Sequence, residues 1–583
     1  MNIPSKSQPE SGELGNVPRP DGQDKSLNRE YTEQMIPGAA GAAVGPAVES
    51  LSCSAALDGG HPPHAMAGGP QWLRKSGAVR TREHFSRQIL QHRLLLSEIR
   101  RGTKKPLLVM KFGGTSLGDA GRMEKVAEIV RDASRDNNVV VVVSAMAGVT
   151  NKLIEAARGA ESGNHELVSA IFDELNRKHK AVADLLTRSP EDQNSIQQIM
   201  EGILRSGHQL CQGTLLLREL TVRALDSIAG LGERLSAPLV ATTLGVHGVA
   251  STAIDATELI VTDSFHGSAE PQMDPTRRRC EARLLPLLQN GIVPVVTGYI
   301  GSTPEGVVTT LGRGGSDYSA TILAAALGAD EVIIWTDVDG VLTADPRLVP
   351  GARTIPEISY REAAELAFFG AKVLHPKTLR PVMHGQIPVC IRNTFAPERL
   401  GTKITSSGSS NGSGAKALTA ISDIALITIG GPGIVGVQEV LGRTFTTTAR
   451  VQADVLLVSQ CSSQNDICFA VPSPHAERTV QALRFEFAQD FAHEEAEHIA
   501  LDPSVAIVAV VGEKMRRTPG IVGRTLSALG RQDVNIIAIA QGSSECNVSF
   551  LVQKEDMQTA LRTIHREFQL GVSHCEVVPA KSA

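Results

Sequence analysis

From Leu107 onward the chain alternates short, almost wholly apolar runs with longer stretches whose apolar residues recur at helical spacing. Leu107-Leu-Val-Met110, Val139 to Val143, Ile292 to Val296 and Val332-Ile-Ile-Trp335 are of strand length, rich in β-branched residues and nearly free of polar positions. Both faces of the sheet they form should therefore be covered. Such strands, separated by helical patterns, predict an α/β unit over residues 106–405, a mostly parallel sheet with helices on both faces. Ser406 to Gly414 consists of Ser, Gly and Asn alone. With nothing to bury and much backbone freedom, residues 406–416 read as a flexible linker. The chain then repeats itself at an offset of 81: Gly442-Arg-Thr-Phe445 returns as Gly523-Arg-Thr-Leu526, Gln460-x-Ser-Ser463 as Gln541-x-Ser-Ser544, and Phe469 as Phe550. Two α+β units follow, 417–492 and 500–578, each reading strand, helix, strand, strand, helix, in the manner of a βαββαβ sandwich.

Residues 1–105 differ in texture. They are rich in Ser, Gly and Pro and lack apolar periodicity before Gln88-Ile-Leu90, so they read as a largely disordered extension. Eight acidic against four basic side chains over 1–60 disfavour an organellar transit peptide, and no apolar core of a secretion signal is present. The expectation is a cytoplasmic protein. The stretch 74–105 carries ten Lys/Arg against two Glu. It fits a solvated basic helix or linker, an upstream extension from a misassigned start codon, or a docking segment.

Composition narrows the function. With 57 basic and 62 acidic residues the net charge is −5, so no global field recruits nucleic acid or an anionic membrane. Aromatic residues make up 3%, which argues against a surface that stacks bases or glycans. No apolar run approaches the about 20 residues that span a bilayer. Eight scattered cysteines, with no CxxC and no His/Cys cluster, read as small buried hydrophobes in a reducing compartment, with no metal site.

The candidate chemistry lies where strands end. Lys111-Phe-Gly-Gly-Thr-Ser116 joins a strand to a helical pattern. Gly113 and Gly114 let backbone N–H groups approach an anion, and Lys111 supplies a point charge for a transferring phosphate. The lysine precedes the glycines, so this is no Walker A loop. Ser144-Ala-Met-Ala-Gly-Val-Thr150-Asn151 follows the Val139 strand and so shares its carboxyl edge of the sheet. Leu311-Gly-Arg313-Gly-Gly-Ser316-Asp317 sets a guanidinium, a hydroxyl and a carboxylate before the helical run Tyr318 to Leu327. Arg313 has the planar fork that clamps a carboxylate. Asp317 could organise lysine or metal charge beside a phosphoryl group. Glu233, in Gly230-Leu-Gly-Glu233-Arg234, opens a helix, where a carboxylate is also stabilised by the helix dipole alone. Thr336-Asp337 ends another strand, Lys372 lies in Phe369-Gly-Ala-Lys372-Val-Leu-His375-Pro376, and His375 reads as structural. A tight turn with a surface lysine would explain any one of these loops, but not their combination.

KFGGTS (111–116), SAMAGVTN (144–151), LGERLSAP (231–238), LGRGGSDYSA (311–320), WTDVDG (335–340) and FGAKVLHP (369–376) occur in the order found in aspartate kinases. The chain therefore resembles that family over about residues 106–405, and its tail resembles paired ACT regulatory domains. VSQCSSQNDICFAVP (458–472) and AIAQGSSECNVSFLV (538–552) are more similar to the kinase part of bifunctional aspartokinase–homoserine dehydrogenases than to lysine-sensitive monofunctional enzymes. No GxGxxG follows a strand in the tail, and the expectation is a stand-alone kinase of the bifunctional type. The resemblance implies an amino-acid kinase fold and ATP with Mg2+. It implies transfer of the γ-phosphate to L-aspartate, giving 4-phospho-L-aspartate for lysine, methionine and threonine synthesis. Lys111, Asp317 and Arg313 would carry catalysis. Ser144, Thr150, Glu233, Arg313 and Ser316 would hold aspartate, with Glu233 meeting its ammonium. Gly113, Gly114, Thr336, Asp337, Arg347, Lys372 and Val373 would line the nucleotide beside Lys111. Leu342 stands where relatives carry a tyrosine near the adenine, so a ring contact is lost there. Another amino-acid kinase, or a catalytically silent amino-acid sensor, are the competing readings.

For the tail the resemblance implies feedback by an amino acid and oligomerisation through the ACT units. Gln460 and Gln541 each follow an apolar strand, Asp454 to Ser459 or Asn535 to Ala540. An amide that both donates and accepts suits a hydroxylated zwitterion, so threonine is favoured over lysine as effector, with Asn535 as a further contact. Pro519-Gly520 precedes Gln541 by 22 and 21 residues, but the same count back from Gln460 gives Gln438-Glu439. The two sites should therefore be unequal.

Overall fold

Apolar runs and helical stretches become an eight-stranded sheet followed by a six-stranded one. The computed structural model describes residues 105–571 within the unit Lys75–Ala583, except 372–373, 410–413, 431–436, 461–466, 490–497, 514, 516–517 and 543–545. The readings of residues 1–104, of Lys372 and Val373, and of the serines after each glutamine lie outside the described residues.

The first sheet is built from β1 (Leu107–Phe112), β2 (Asn138–Val143), β3 (Ser251–Ile254), β4 (Val293–Thr297), β7 (Glu331–Thr336), β8 (Glu357–Ser359), β9 (Val389–Asn393) and β10 (Thr402–Thr405). β5 (Ile300–Ser302) and β6 (Val308–Thr310) form a separate hairpin. The order is β3-β4-β2-β1-β7-β9-β10-β8, parallel throughout except between β9 and β10. Its helices are α1 (Ala120–Ser134), α2 (Val149–Glu161), α3 (His165–Leu186), α4 (Pro190–Leu217), α5 (Val222–Ala229), α6 (Leu231–Val246), α7 (Met273–Gln289), α8 (Gly315–Leu327), α9 (Tyr360–Phe368) and α10 (Pro376–Gly385). Alternation along the strands decides which face each residue serves. Met110, Val141, Val295 and Ile333 join one buried cluster with α1 to α4 and α6, whereas Val109, Val142, Val296 and Ile334 join another with α7, α8 and α10. Both faces are covered, as the near-absence of polar strand positions requires.

The second sheet holds β11 (Ala417–Gly430), β12 (Leu457–Gln460), β13 (Ile467–Pro472), β14 (His498–Val511), β15 (Ala538–Ala540) and β16 (Asn547–Gln553), in the order β12-β13-β11-β14-β16-β15. Its helices are α11 (Val437–Arg450), α12 (Ser473–Glu486), α13 (Ile521–Gly530) and α14 (Met557–Glu567). The repeat seen in the sequence is real at the level of contacts. Arg443 lies 4.4 Å over Phe487 and bonds Glu486 at 3.1 Å, while 81 residues on, Arg524 lies 4.5 Å over Phe568 and bonds Glu567 at 3.1 Å. The long strands β11 and β14 pair antiparallel along their length, with irregular register between Ile421 and Leu426. Leu418, at the start of β11, packs in the core of the second unit, and Ile499, at the start of β14, packs with the first. The units thus exchange strand halves. The edge strands β12 (Leu457–Gln460) and β15 (Ala538–Ala540) are short, and each has a ladder partner on one side alone.

The junction between the two sheets is polar and buried. Lys416 Nζ bonds Glu362 Oε2 at 2.7 Å with side chains 6% and 1% exposed. Thr343 Oγ1 meets His565 Nε2 at 3.0 Å, and Arg353 Nε donates to Leu570 O at 2.7 Å. Among the described residues no helix is long and apolar enough to cross a membrane.

Candidate active site

Four helical segments begin at the carboxyl edge of β1, β2 and β4, and each has at its N-cap a glycine, which supplies no side-chain hydrogen bond: Gly113 before the short 3-10 turn Gly114–Leu117, Gly148 before α2, Gly230 before α6 and Gly314 before α8. A Ser or Asp cap would consume an N–H group. At α2 and α8 the glycine caps leave first-turn N–H groups and the positive helix ends to a ligand. Gly148 (φ 82°) and Gly314 (φ 72°) also hold left-handed backbone that other residues resist.

These ends enclose a cavity of about 480 Å³ lined by Lys111, Gly114, Ser144, Thr150, Glu233, Arg313, Ser316 and Asp317, together with Met146, Asn151, Gly267 and Tyr299. It therefore brings together all the residues assigned above to catalysis and to aspartate. Lys111 is the penultimate residue of β1, 8% exposed, and forms an ion pair with Asp317 in the first turn of α8. The helix begins at Gly315, three residues before the apolar run starts, and this turn aims Ser316 and Asp317 inward. A Cβ on Gly114 would stand 2.7 Å from Ala145 O, so glycine permits the lysine loop to lie against the Ser144 loop. Arg313 is exposed at the mouth and has no acidic partner among the described residues.

Glu233 is the most constrained group. It is 3% exposed in the first turn of α6, and its Oε2 has no hydrogen-bond partner. Burial pushes its carboxyl up to about 8, against the opposing pull of the Ala145 and Glu233 N–H groups and of Lys111. Once ionised, a buried carboxylate calls for a cation, and among the described residues none bonds that oxygen.

The nucleotide assignments are dispersed. Gly113 adjoins Lys111 Nζ and donates its N–H to Trp335 O at 3.2 Å. Thr336 ends β7 beside it and Asp337 follows, but none of these three lines the cavity. Arg347 is 76% exposed and paired to Asp345 at 2.6 Å, away from the cavity lining. His375 caps α10 by accepting from Lys377 N, in keeping with a structural role. Gln460 and Gln541 are exposed at the ends of edge strands β12 and β15, and Asn535 is exposed ahead of β15.

Sequence reasoning missed a second layer. Asp226 of α5, 3% exposed, accepts from Thr310 Oγ1 at 2.5 Å, His266 Nδ1 at 2.9 Å and Gly267 N at 3.0 Å. It thereby clamps the loop whose Gly267 lines the cavity. Its partners lie 40 or more residues away, so no local motif marks it. Gly298 and Tyr299 were also overlooked. A Cβ on Gly298 would meet Ser316 Cβ at 2.7 Å, and Tyr299 adopts φ 69°, rare for a bulky residue. Their position directly after the β4 strand was the one available signal.

Residues 106–393 match the model of the amino acid kinase family, and 427–487 and 508–568 each match an ACT domain. Aspartokinase 2, chloroplastic, of Arabidopsis thaliana is 32% identical over 475 residues, covering 80% of this chain and 85% of that protein. The chain belongs to the aspartokinase family. Bifunctional aspartokinase/homoserine dehydrogenase 1, chloroplastic, of Arabidopsis thaliana is 36% identical over 479 residues, which is 79% of this chain and 51% of that protein. The chain thus spans about half the length of the bifunctional aspartokinases it matches. Two structures of E. coli aspartokinase III superpose on it. One, in complex with aspartate and ADP (R-state), has TM-score 0.67 and 30% identity, and covers 79% of this chain and 99% of that one. The other, with lysine and aspartate (T-state), has TM-score 0.66 and 31% identity at the same coverage. The aspartokinase fold expected from the motifs is the fold observed.

Proposed function

We propose that this chain transfers the γ-phosphate of ATP to the β-carboxylate of L-aspartate, giving 4-phospho-L-aspartate and ADP, at the entry to lysine, methionine and threonine synthesis. The observation that carries the reading is the buried, unpartnered Glu233 Oε2 in one cavity with Lys111, Asp317 and the exposed Arg313. A substrate with one ammonium and two carboxylates answers all of these charges.

In this reading Glu233 receives the α-ammonium, Arg313 the α-carboxylate, and Ser144, Thr150 and Ser316 the remaining polar edges. A β-carboxylate oxygen attacks the γ-phosphorus as the bond to the β,γ-bridging oxygen breaks and ADP leaves. The attacking group is already ionised at neutral pH, so no general base is needed. Catalysis rests on positioning and on neutralising phosphoryl charge. Lys111 supplies that charge, Asp317 holds Lys111 in place, and the glycine-capped helix ends supply N–H donors. Gly113, Gly114, Thr336, Asp337, Arg347, Lys372 and Val373 form the nucleotide side. Mg2+ bound to the ATP phosphates would offset their charge, and Asp317 is the carboxylate available to it, in keeping with an ion that keeps most of its ligands from phosphate and water.

The ACT pair makes the activity subject to an end-product amino acid at Gln460, Gln541 and Asn535, threonine favoured and lysine the alternative, in a homo-oligomer joined through the ACT units. That E. coli aspartokinase III was solved with lysine supports amino-acid control in the family. A hydroxamate assay with aspartate, glutamate and acetylglutamate tests the activity. Turnover with aspartate alone is expected. Turnover with another acid reassigns the substrate, and none at all leaves an amino-acid sensor.

A further inference from the structure

One aromatic residue of the kinase domain is buried in the ACT pair. Phe369, the residue after α9, is 4% exposed and shares an apolar cluster with Ile424, Leu426 and Leu457 of the first unit and Val505, Ile507 and Leu551 of the second. Ala538 and Ala540 of β15 pack against the same cluster, and β12 and β15 approach one another there although they are opposite edges of the sheet. Gln460 and Gln541 terminate these two strands on their C-terminal side.

The backbone around Phe369 is pinned as firmly as its ring. Thr419 Oγ1 donates to Phe369 O at 2.8 Å. Gly370 has φ 96°, and a Cβ there would lie 3.4 Å from Ile421. One turn earlier, Asn547 of β16 donates to Glu365, and Lys416 holds Glu362. Downstream, six residues bring the chain to His375, and a Cβ on Gly314 would stand 2.7 Å from His375 Cβ. His375 is thus packed on the Arg313-Gly314 turn that opens α8. The same contact is felt electrostatically: burial, then Lys377, Arg313 and Arg380, hold the His375 imidazolium down.

We infer that Phe369 is a positioning residue, a plug between the two ACT units whose seating sets the Arg313 turn of the active site through α9 and α10, which pack on one another, and through α8, on which α10 packs. A ring gripped by strands of both units moves when the gap between β12 and β15 changes, and packed elements shift between discrete arrangements rather than deforming smoothly. An amino acid bound at Gln460 or Gln541 favours one seating and is linked through it to substrate binding. This part rests on the regulatory reading above. The positioning role itself does not.

The test uses the full chain with threonine and lysine as probes, and compares Phe369→Leu with Phe469→Leu, a fully buried phenylalanine in the first unit's own core. Phe369→Leu should bind the inhibitory amino acid within about threefold of the unsubstituted chain by calorimetry, yet lose at least about fivefold of the coupling, so that saturating inhibitor leaves most of the activity. Hydrogen exchange over 311–317 and 376–380 should quicken roughly tenfold, because the end of α9 loses its anchor. Phe469→Leu should lower the melting temperature without separating binding from inhibition. Full inhibition of Phe369→Leu at saturation overturns the proposal. If neither amino acid inhibits the unsubstituted chain, the regulatory reading has failed, and exchange alone then decides: unchanged exchange at 311–317 overturns the plug, and faster exchange upholds it. Should Phe369→Leu not fold, Thr419→Val, which removes the bond to Phe369 O, is judged by the same measures.

Discussion

The catalytic cavity and the ACT edges place their polar residues in opposite settings. In the cavity Lys111, Glu233 and Ser316 are almost wholly buried, Lys111 faces Asp317, and the helix ends around them are capped by glycine, with no side-chain oxygen. At the ACT edges Gln460, Gln541 and Asn535 are neutral and exposed. The difference follows from what each region must do. Stabilising charge that develops on a phosphoryl group requires fixed donors in a place poor in water, where each is worth far more than in solvent. An effector site requires only that one conformation bind better than another, and modest hydrogen bonds at a movable edge suffice. The buried region should therefore answer mutation with large losses and the exposed one with small shifts.

The sharpest test of that contrast is Lys111→Ala. Under the proposed role kcat should fall by about 10²–10³-fold or more, some 3–4 kcal/mol of barrier, with ATP still bound. Steady-state kinetics with a nucleotide-binding titration measures both, and near-normal turnover would remove Lys111 from the chemistry. Next in size is the junction. Lys416→Met leaves the carboxylate of Glu362, at 1% exposure, without its cation and with the Ser359 N–H as its remaining partner among the described residues, and should cost about 3 kcal/mol in stability. The readout is thermal unfolding, where a melting temperature equal to that of the unsubstituted chain would contradict the burial argument.

Glu233 links the same contrast to pH. Its carboxyl lies near 8 in the ligand-free protein, and pairing with an ammonium must lower it. Aspartate binding then releases a proton below about pH 8, so aspartate KM should fall as pH rises toward 8 and level off above it. The contribution of this group to the stability of the ligand-free fold has the opposite sign: because its folded value is raised above the unfolded one, that contribution is full at low pH and is lost as pH rises through about 8. Glu233→Gln should raise aspartate KM by roughly ten- to a hundredfold, leave ATP KM alone and abolish the proton release. Calorimetry in two buffers of different ionisation enthalpy reads that release, and its persistence in the variant would assign the proton elsewhere.

Smallest of all should be the edge glutamines. Gln460→Ala and Gln541→Ala are expected to move the threonine inhibition curve by about three- to tenfold, and unequally, without altering uninhibited kcat. Inhibition by lysine and not by threonine would replace the effector while leaving the catalytic contrast intact.

Much of this was written locally in the chain. Apolar runs of strand length free of polar positions made a covered parallel sheet the economical solution, because a mostly apolar strand cannot leave a face in water. Glycine-rich loops at strand ends marked the carboxyl edge, where Lys111, Ser144, Glu233, Arg313, Ser316 and Asp317 did converge. The offset of 81 announced two equivalent units whose Arg-over-Phe contacts repeat to within 0.1 Å, 4.4 against 4.5 Å. What the sequence left open has one physical character: it depends on partners far apart in the chain. Asp226 acquires its meaning from Thr310, His266 and Gly267. Glu233 becomes a carboxyl near 8 through burial, which no neighbour in sequence dictates. The halves of β11 serve two different cores because β14 pairs along their whole length, and Phe369 reads as one more helical apolar residue until the ACT strands close around it. Periodicity and turn chemistry act over a few residues and so are legible in the sequence. Desolvation and cross-chain packing exist only once distant segments meet, and those the tertiary structure alone decided.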